Sequence, residues 1–295
     1  MTRSGGYPTR KPDLAQWKTA PVEYDPTQFS GTAPYYLQGR PPYSAQLGEV
    51  LTRELGLDGT GRLLDIGSGP GTVGVQLAPL FEQVTLLEPD ADLLAEARRH
   101  ATSAGLRAVD FVKATAEDLP RLALPLVRVA TFGQSFHRTD RLRAAGAVHD
   151  ALEPGGSMVL IVHDATRPPP KKPPGIPPIP HAAAEGLIRS YLGPERRSGA
   201  RPATSYSAER FEETLARTPF GPPRVTYAPG RPDLVRDVEG VIAGYLSLSF
   251  AAPPLFGARL ADFVADLRAL LEQRSPTGRF WDWPGDTEIL IASRR

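Results

Sequence analysis

A short apolar run that ends at an aspartate leads directly into three closely spaced glycines. The run covers residues 62–66 and carries Asp65 near its end. The glycines are Gly67, Gly69 and Gly71. A strand, a glycine turn and a helix in this order let a ligand touch the backbone at the helix N-terminus. Glu88 ends the next apolar run, where an acidic side chain can accept hydrogen bonds from ribose hydroxyls. The pattern therefore predicts a ligand that contains a nucleoside.

Two classes of ligand fit a glycine turn of this kind. Residues 69–74 read Gly-Pro-Gly-Thr-Val-Gly, which matches the fingerprint of nicotinamide dinucleotide sites. In such sites the first glycine follows the strand directly and the third falls five residues later. Counting from Gly67 places Thr72 at the third position, and Asp65 would repel a pyrophosphate. The register therefore disfavours a nicotinamide enzyme, which stays an alternative.

The chain from about residue 24 to 164 resembles the class I S-adenosylmethionine-dependent methyltransferases of small-molecule type. The trans-aconitate and ubiquinone/menaquinone methyltransferases are the most similar group. Four blocks in the right order and spacing carry the resemblance: residues 64–72, 84–90, 114–120 and 152–156. The resemblance implies a soluble enzyme that transfers a methyl group from S-adenosylmethionine to a small organic acceptor.

Roles for individual side chains follow from the same resemblance. It implies that Asp65 helps to hold the amino group of the cofactor and that Glu88 holds its ribose. An aromatic and a basic residue near the N-terminus, Tyr36 and Arg40, would contact the methionine end of the cofactor. The remaining predicted cofactor residues are Gly67, Gly69, Gly71, Ala116, Glu117 and Gln134.

The sequence departs from the resembled family at two positions. Thr115 stands where relatives often have an aspartate that bonds the adenine amino group. Arg138 stands where many relatives have a tryptophan after a histidine. Either Arg138 pairs with a carboxylate or phosphate of the substrate, or it points to water. We assign Arg138 and Tyr35 as candidate substrate contacts.

Two histidines follow predicted strands at the edge where ligands bind in open α/β sheets. His137 comes after the fourth strand, and His163 ends the fifth. Either can deprotonate or orient an acceptor, and either can instead bond loop backbone. We assign both as candidate catalytic residues. No close ligand spacing is present, so no metal site is predicted.

Strand-like and helix-like segments alternate, which predicts an α/β fold with a doubly wound parallel sheet. Strands are expected at 62–66, 84–88, 109–113, 127–132, 157–162, 223–228 and 287–293. The main helices are expected at 44–55, 72–80, 90–104, 139–152, 181–192, 207–217, 234–248 and 257–273. Asp90 and Asp140 can cap two of these helices, and the Pro-Gly-Gly segment at 154–156 is a stop signal between the helix at 139–152 and the next strand. The resemblance implies seven strands, with the last one antiparallel, and a helical cap.

The predicted organisation has five parts. They are a flexible tail (1–22), an N-terminal lid with the first helix (23–60), the cofactor-binding core (61–164), a proline-rich loop with a helical cap (165–222), and a C-terminal completion of the sheet (223–295). Residues 168–180 hold eight prolines. This composition is compatible with the edge of a lid over the substrate, a loop exposed to solvent, or a docking segment for a partner.

The composition narrows the classes of function and partner. The net charge is +1 and no long basic run is present, so neither a nucleic-acid footprint nor an RNA methyltransferase is favoured. The chain has no cysteine and no convincing membrane span, which fits the cytoplasm. An Ala-, Arg- and Pro-rich chain is typical of GC-rich bacteria, where such enzymes often serve secondary metabolism. A protein that binds S-adenosylmethionine without transferring its methyl group is the second hypothesis.

Overall fold

The computed structural model describes residues 24–164, 172–199 and 209–295, together with the backbone of residues 201–202. The predicted tail at residues 1–22 lies outside the described residues, as does the first part of the proline-rich segment. Among the described residues, no helix has the length and apolar composition needed to cross a bilayer.

A seven-stranded sheet forms the centre of the molecule. Its strands are β1 (Arg62–Ile66), β2 (Gln83–Leu87), β3 (Val109–Val112), β4 (Val127–Gly133), β5 (Leu152–Asp164), β8 (Arg224–Ala228) and β11 (Asp286–Ser293). They lie in the order β3-β2-β1-β4-β5-β11-β8. The first five are parallel, and β11 runs antiparallel between β5 and β8. The predicted Rossmann-like sheet with an antiparallel last strand is confirmed.

Two small antiparallel pairs of strands lie outside this sheet: β6 (Arg197–Ser198) with β7 (Arg201–Pro202), and β9 (Val235–Asp237) with β10 (Arg279–Trp281).

Ten α-helices are assigned within the described residues. They are α1 (Ala33–Gly39), α2 (Leu47–Leu55), α3 (Thr72–Leu77), α4 (Ala91–Ser103), α5 (Arg141–Ala151), α6 (His181–Leu192), α7 (Phe211–Ala216), α8 (Val238–Leu246), α9 (Pro253–Phe256) and α10 (Leu260–Arg274). The predicted caps are confirmed, because Asp90 accepts from two N–H groups at the start of α4 and Asp140 accepts from one at the start of α5.

Strand β5 is longer than predicted. The Pro-Gly-Gly segment at residues 154–156 was expected to be a turn before the strand, but β5 already begins at Leu152. The pairing with β4 shifts register between Val127 and Val129. A β-bulge of this kind allows the proline and the two glycines at residues 154–156 to lie inside β5, although these residue types are disfavoured in a regular strand.

Three apolar clusters stabilise the fold. Two of them cover the two faces of the sheet, one around Phe132 and Phe136 and the other around Leu63 and Leu77. The third belongs to a helical cap in which α6 packs with α8, α9 and α10 around Phe263. The cap therefore takes helices from both sides of residue 223, whereas the sequence interpretation placed the cap before residue 223. The apolar stripe of α10 packs on α6 because it would otherwise be exposed to water.

Helix α1 of the N-terminal segment packs closely on α8 of the cap. A Cβ atom at Gly39 would lie 2.3 Å from the carbonyl oxygen of Ala243. Arg236 strengthens the junction, because its guanidinium donates to the carbonyl oxygens of Gly39 and Gly240 and pairs with Asp282. The N-terminal lid is thus joined to the cap by direct backbone contact.

Candidate functional site

The glycine loop after β1 adopts a backbone conformation that residues other than glycine rarely adopt. Gly67, Gly69 and Gly71 have φ angles of +61°, +54° and +79°, in the left-handed region. A Cβ atom at Gly67 would also lie 2.7 Å from Cβ of Ser135. Strand β1 ends at Ile66, so Gly67 follows it directly, as the register argument requires. The loop can bring its backbone close to a ligand.

Asp65 precedes this loop and accepts hydrogen bonds from two neighbouring elements. Its Oδ2 accepts a hydrogen bond from the N–H of Gly74 at 2.9 Å, and its Oδ1 accepts one from Oγ1 of Thr131 at 2.8 Å. The side chain is buried, and burial raises its pKa to about 6. Asp65 therefore connects β1, β4 and the first turn of α3. Its predicted contact with the amino group of a cofactor stays a prediction.

Glu88 holds the same loop from the neighbouring strand. Its Oε2 accepts from the N–H of Gly69 at 2.8 Å, and its Oε1 accepts from the N–H of Asp90 at 2.9 Å. Burial raises the pKa of this carboxyl to about 7 in spite of the two hydrogen bonds. A carboxylate oxygen can accept more than one hydrogen bond, so Glu88 retains capacity for ligand hydroxyls.

A first cleft of about 990 Å³, including its open mouth, lies above the carboxyl edge of the sheet. It is lined by eight of the predicted site residues: Tyr36, Gly67, Gly69, Glu88, Ala116, Glu117, Gln134 and Arg138. Other lining residues were not predicted, among them Gln28 and Ser198. These two are joined by a hydrogen bond of 2.7 Å across 170 residues of chain. No local sequence signal indicates such a contact.

A second cleft of about 900 Å³ lies beside the first. Both clefts are bordered by Phe29, Tyr36, Gly67, Gly133, Gln134 and Arg138. The second adds Arg40, Tyr43, Asp65, His137 and His163. The two clefts therefore adjoin and share a wall. Gly71 lines neither, because it turns the chain into α3.

Arg40 and Tyr36 border the second cleft from the lid. The guanidinium carbon of Arg40 lies 4.9 Å from the ring centroid of Tyr36. One of its terminal nitrogens donates to the carbonyl of Ser247 at 2.8 Å, whereas Nε is buried without a hydrogen-bond partner. An unpartnered buried cationic donor fits an anionic ligand group such as a carboxylate.

Tyr35 lies elsewhere. It packs against the apolar cluster of the cap and lines neither cleft. Successive residues of a helix point about 100° apart, so Tyr36 faces the cleft while Tyr35 faces the cap. The structure places Tyr35 against the cap, and its predicted substrate contact stays a prediction.

The two histidines border the second cleft as neutral rings. Burial, together with the smaller effect of the nearby Arg138, Arg141 and Arg40, lowers the pKa of His137 to about 3. Burial lowers the pKa of His163 to about 4 and outweighs a hydrogen bond to the backbone of Pro41. His163 stacks on Tyr43 with 4.8 Å between ring centroids, and its Nδ1 is buried without a hydrogen-bond partner. At neutral pH both rings are uncharged and only weakly basic.

Side chains after β3 and β4 border the first cleft. Thr115 donates from its N–H and its hydroxyl to Oδ2 of Asp118, so its side chain is part of a cap. Glu117 accepts from the N–H of Asp140 at 2.8 Å. Arg138 lies over Phe29, with 4.5 Å between its guanidinium carbon and the ring centroid. Among the described residues, no group of three or more His, Asp or Glu side chains is arranged to hold a metal ion.

Comparison with known proteins identifies the core. Residues 63–156 match the family described as "Methyltransferase domain". The match confirms the predicted class I methyltransferase recognition for this segment and supports S-adenosylmethionine as its cofactor. The described residues fit that cofactor, because the glycine loop, Glu88 and the unpartnered Nε of Arg40 border two adjoining clefts.

Relatives extend over part of the chain. Methyltransferase cfoB of Aspergillus candidus is 30% identical over 133 residues, which are 42% of this chain and 40% of the relative. The ubiquinone biosynthesis O-methyltransferase of Ruegeria pomeroyi is 35% identical over 98 residues, 33% of this chain and 39% of the relative. The chain thus matches about 40% of the length of these relatives. A solved structure, the YcgJ protein of Bacillus subtilis, is 17% identical with a TM-score of 0.45, over 83% of this chain and 96% of that one.

Proposed function

We propose that this chain, whose residues 63–156 carry a methyltransferase domain, transfers a methyl group from S-adenosylmethionine to a small organic acceptor. The setting we propose is bacterial secondary metabolism, on the basis of composition. The substrate is a small molecule rather than a nucleic acid or a membrane component.

The single observation that carries the proposal is the pair of adjoining clefts that Glu88 and Arg40 border. A buried carboxyl that suits ribose hydroxyls lies at one end, and a guanidinium that suits a carboxylate lies towards the other. Between them the glycine loop offers its backbone, and Tyr36 borders both clefts. This order of groups is complementary to a nucleoside joined to an amino acid.

The bound cofactor would supply an electrophilic methyl group together with its leaving group. The protein then has to orient an acceptor and exclude water. Glu88 and Ala116 hold the nucleoside, Arg40 holds the carboxylate, and Phe29 and Tyr36 cover the site. Because His137 and His163 are neutral at pH 7, they orient the acceptor through hydrogen bonds and accept a proton only from an acidic group.

The test is calorimetric titration with S-adenosylmethionine, S-adenosylhomocysteine, NAD and NADP. Binding of the two adenosyl ligands alone is expected. Binding of NAD or NADP would contradict the glycine register and favour an oxidoreductase. An acceptor screen with radiolabelled methyl groups then tests transfer itself.

A cofactor-binding protein without methyl transfer is the second candidate. It is favoured by the weak basicity of His137 and His163 and by the raised pKa of Tyr43, which leave these three groups poorly suited to take a proton at pH 7. It predicts tight binding of S-adenosylhomocysteine with no labelled product from any acceptor class.

A further inference from the structure

A covering segment, residues 24–32, precedes α1 and borders the first cleft. Burial and nearby carboxyl groups, including that of Glu88, raise the pKa of Tyr24 to about 12, so Tyr24 lies beside the end of β2. Phe29 lies over the guanidinium of Arg138, which follows β4, with 4.5 Å to the ring centroid. The covering segment therefore extends between two borders of the cleft.

Consecutive turns build the covering segment. The backbone N–H groups of Gln28, Ser30 and Thr32 each donate to the carbonyl oxygen three residues earlier, at 3.1, 3.3 and 3.0 Å. Turns of this kind hold the local backbone, but they do not attach it to the rest of the molecule. The position of the covering segment over the cleft therefore depends on its contacts with neighbouring elements.

The cap holds the covering segment through a pair of serines. Nε2 of Gln28 donates to Oγ of Ser198 at 2.7 Å, and Oγ of Ser198 donates to Oγ of Ser249 at 2.9 Å. Both serines are buried, Ser198 in β6 after α6 and Ser249 after α8. A Cβ atom at Gly199 would lie 2.8 Å from Cα of Gln28, so the two backbones are in close contact here.

The end of α8 also holds Arg40, which lies on the other side of α1. The guanidinium of Arg40 donates to the carbonyl oxygen of Ser247, and α1 packs on α8 in between. Residues 247–249 are thus connected to Gln28, which borders the first cleft, and to Arg40, which borders the second. The covering segment and α1 are consequently attached to the cap at both ends.

We propose that Ser198 and Ser249 hold the covering segment closed over the nucleoside end of the cofactor, so that the cofactor enters and leaves only when the bond between Gln28 and Ser198 opens. The identity of the ligand rests on the proposed function. Ser249 is a positioning residue, because it borders neither cleft and acts through Ser198. These bonds join protein groups to one another, so breaking them should raise the association and dissociation rate constants by a similar factor.

Surface plasmon resonance of S-adenosylhomocysteine over the immobilised full chain measures both rate constants. Ser198→Ala removes both hydrogen bonds of the serine pair and is expected to raise each rate constant about fivefold. Ser249→Ala removes only the bond between the serines and is expected to raise each about twofold. Kd should stay within about twofold in both variants.

Ser247→Ala is the matched control. Its hydroxyl is also buried after α8 but donates to the carbonyl oxygen of Gly244, so the substitution should leave both rate constants unchanged. Hydrogen exchange measured by mass spectrometry without any ligand gives a second readout. Residues 24–32 should exchange faster in Ser198→Ala than in the unmodified protein, whereas α4 should exchange equally fast in both.

The inference is overturned if both rate constants are unchanged in Ser198→Ala and Ser249→Ala, or if Ser247→Ala has the same effect. A rise of the dissociation rate constant alone in Ser198→Ala would also overturn it, because Ser198 would then hold the ligand directly. Failure of the unmodified protein to bind S-adenosylhomocysteine would instead overturn the proposed function. Unchanged hydrogen exchange of residues 24–32 in Ser198→Ala would overturn the attachment to the cap even then.

Discussion

The carboxylate of Glu88 accepts a hydrogen bond from the backbone N–H of Gly69, with 2.8 Å between oxygen and nitrogen. The bond joins the end of β2 to the glycine loop that follows β1, and both residues border the first cleft. One side chain therefore shapes the loop and borders the cleft beside it. Substitutions at Glu88 should affect both the binding site and the local structure.

Glu88→Gln should weaken binding of S-adenosylhomocysteine about tenfold or more. The new amide nitrogen would face the N–H of Gly69 or of Asp90, and the negative charge of the acceptor would be lost. Calorimetry at pH 8 measures the effect, and the exposed Glu82→Gln is the control. Equal affinity in both variants would remove Glu88 from the site.

The stability of the ligand-free protein should depend on the protonation of Glu88. Its pKa is raised from 4.5 to about 7, so the folded protein binds more protons than the unfolded chain between these values. The contribution is fully present below 4.5 and is lost as the pH rises through 7. It amounts to about 3 kcal/mol at most. Thermal melting from about pH 5 to about pH 8 should show a smaller loss in Glu88→Gln than in the unmodified protein. Parallel curves for the two proteins would contradict this account.

Arg40→Gln should discriminate between two ligands. S-adenosylhomocysteine carries the amino-acid carboxylate that we assign to Arg40, whereas methylthioadenosine lacks it. The substitution should lower affinity for the former about tenfold and leave the latter within about twofold. If both affinities fall equally, Arg40 acts by holding the lid through Ser247 rather than by binding the carboxylate.

His137 and His163 should remain neutral across the physiological range. Their pKa values are lowered to about 3 and about 4, chiefly by burial, so their ring signals in NMR spectra should not shift between about pH 5.5 and 8. His137→Gln and His163→Gln assign the signals. A titration midpoint near 6.5 for either ring would show that water reaches it.

Gly39→Ala should destabilise the junction of lid and cap. The new methyl group would meet the Ala243 carbonyl at 2.3 Å, and overpacking of this kind costs about 1–3 kcal/mol. Gly48→Ala is the control, because its nearest neighbour, Leu80, lies 3.4 Å away and alanine favours a helix. Thermal melting compares the two, and equal stability would mean that α1 moves aside without cost.

The glycine loop and its two acids could be predicted because their signals are local. Asp65, the glycine loop and Glu88 lie in or next to β1 and β2, whose apolar runs set the register. The carboxyl ends of parallel strands meet at one edge of a sheet, so strand order in the sequence already brings these residues together. The helix caps at Asp90 and Asp140 are equally local, and they were predicted correctly.

The lining of the second cleft was decided by contacts between distant segments. Helical phase within α1 directs Tyr36 to the cleft and Tyr35 to the cap, and the close contact of Gly39 with Ala243 fixes that phase. The neutrality of His137 arises from burial and from three arginines on separate elements, which no spacing in the sequence indicates. The sequence by itself therefore determined the sheet, the glycine loop and its acids. Only the tertiary structure decided which side chains border the second cleft and in which charge state, because burial and long-range electrostatics exist only once the chain is folded.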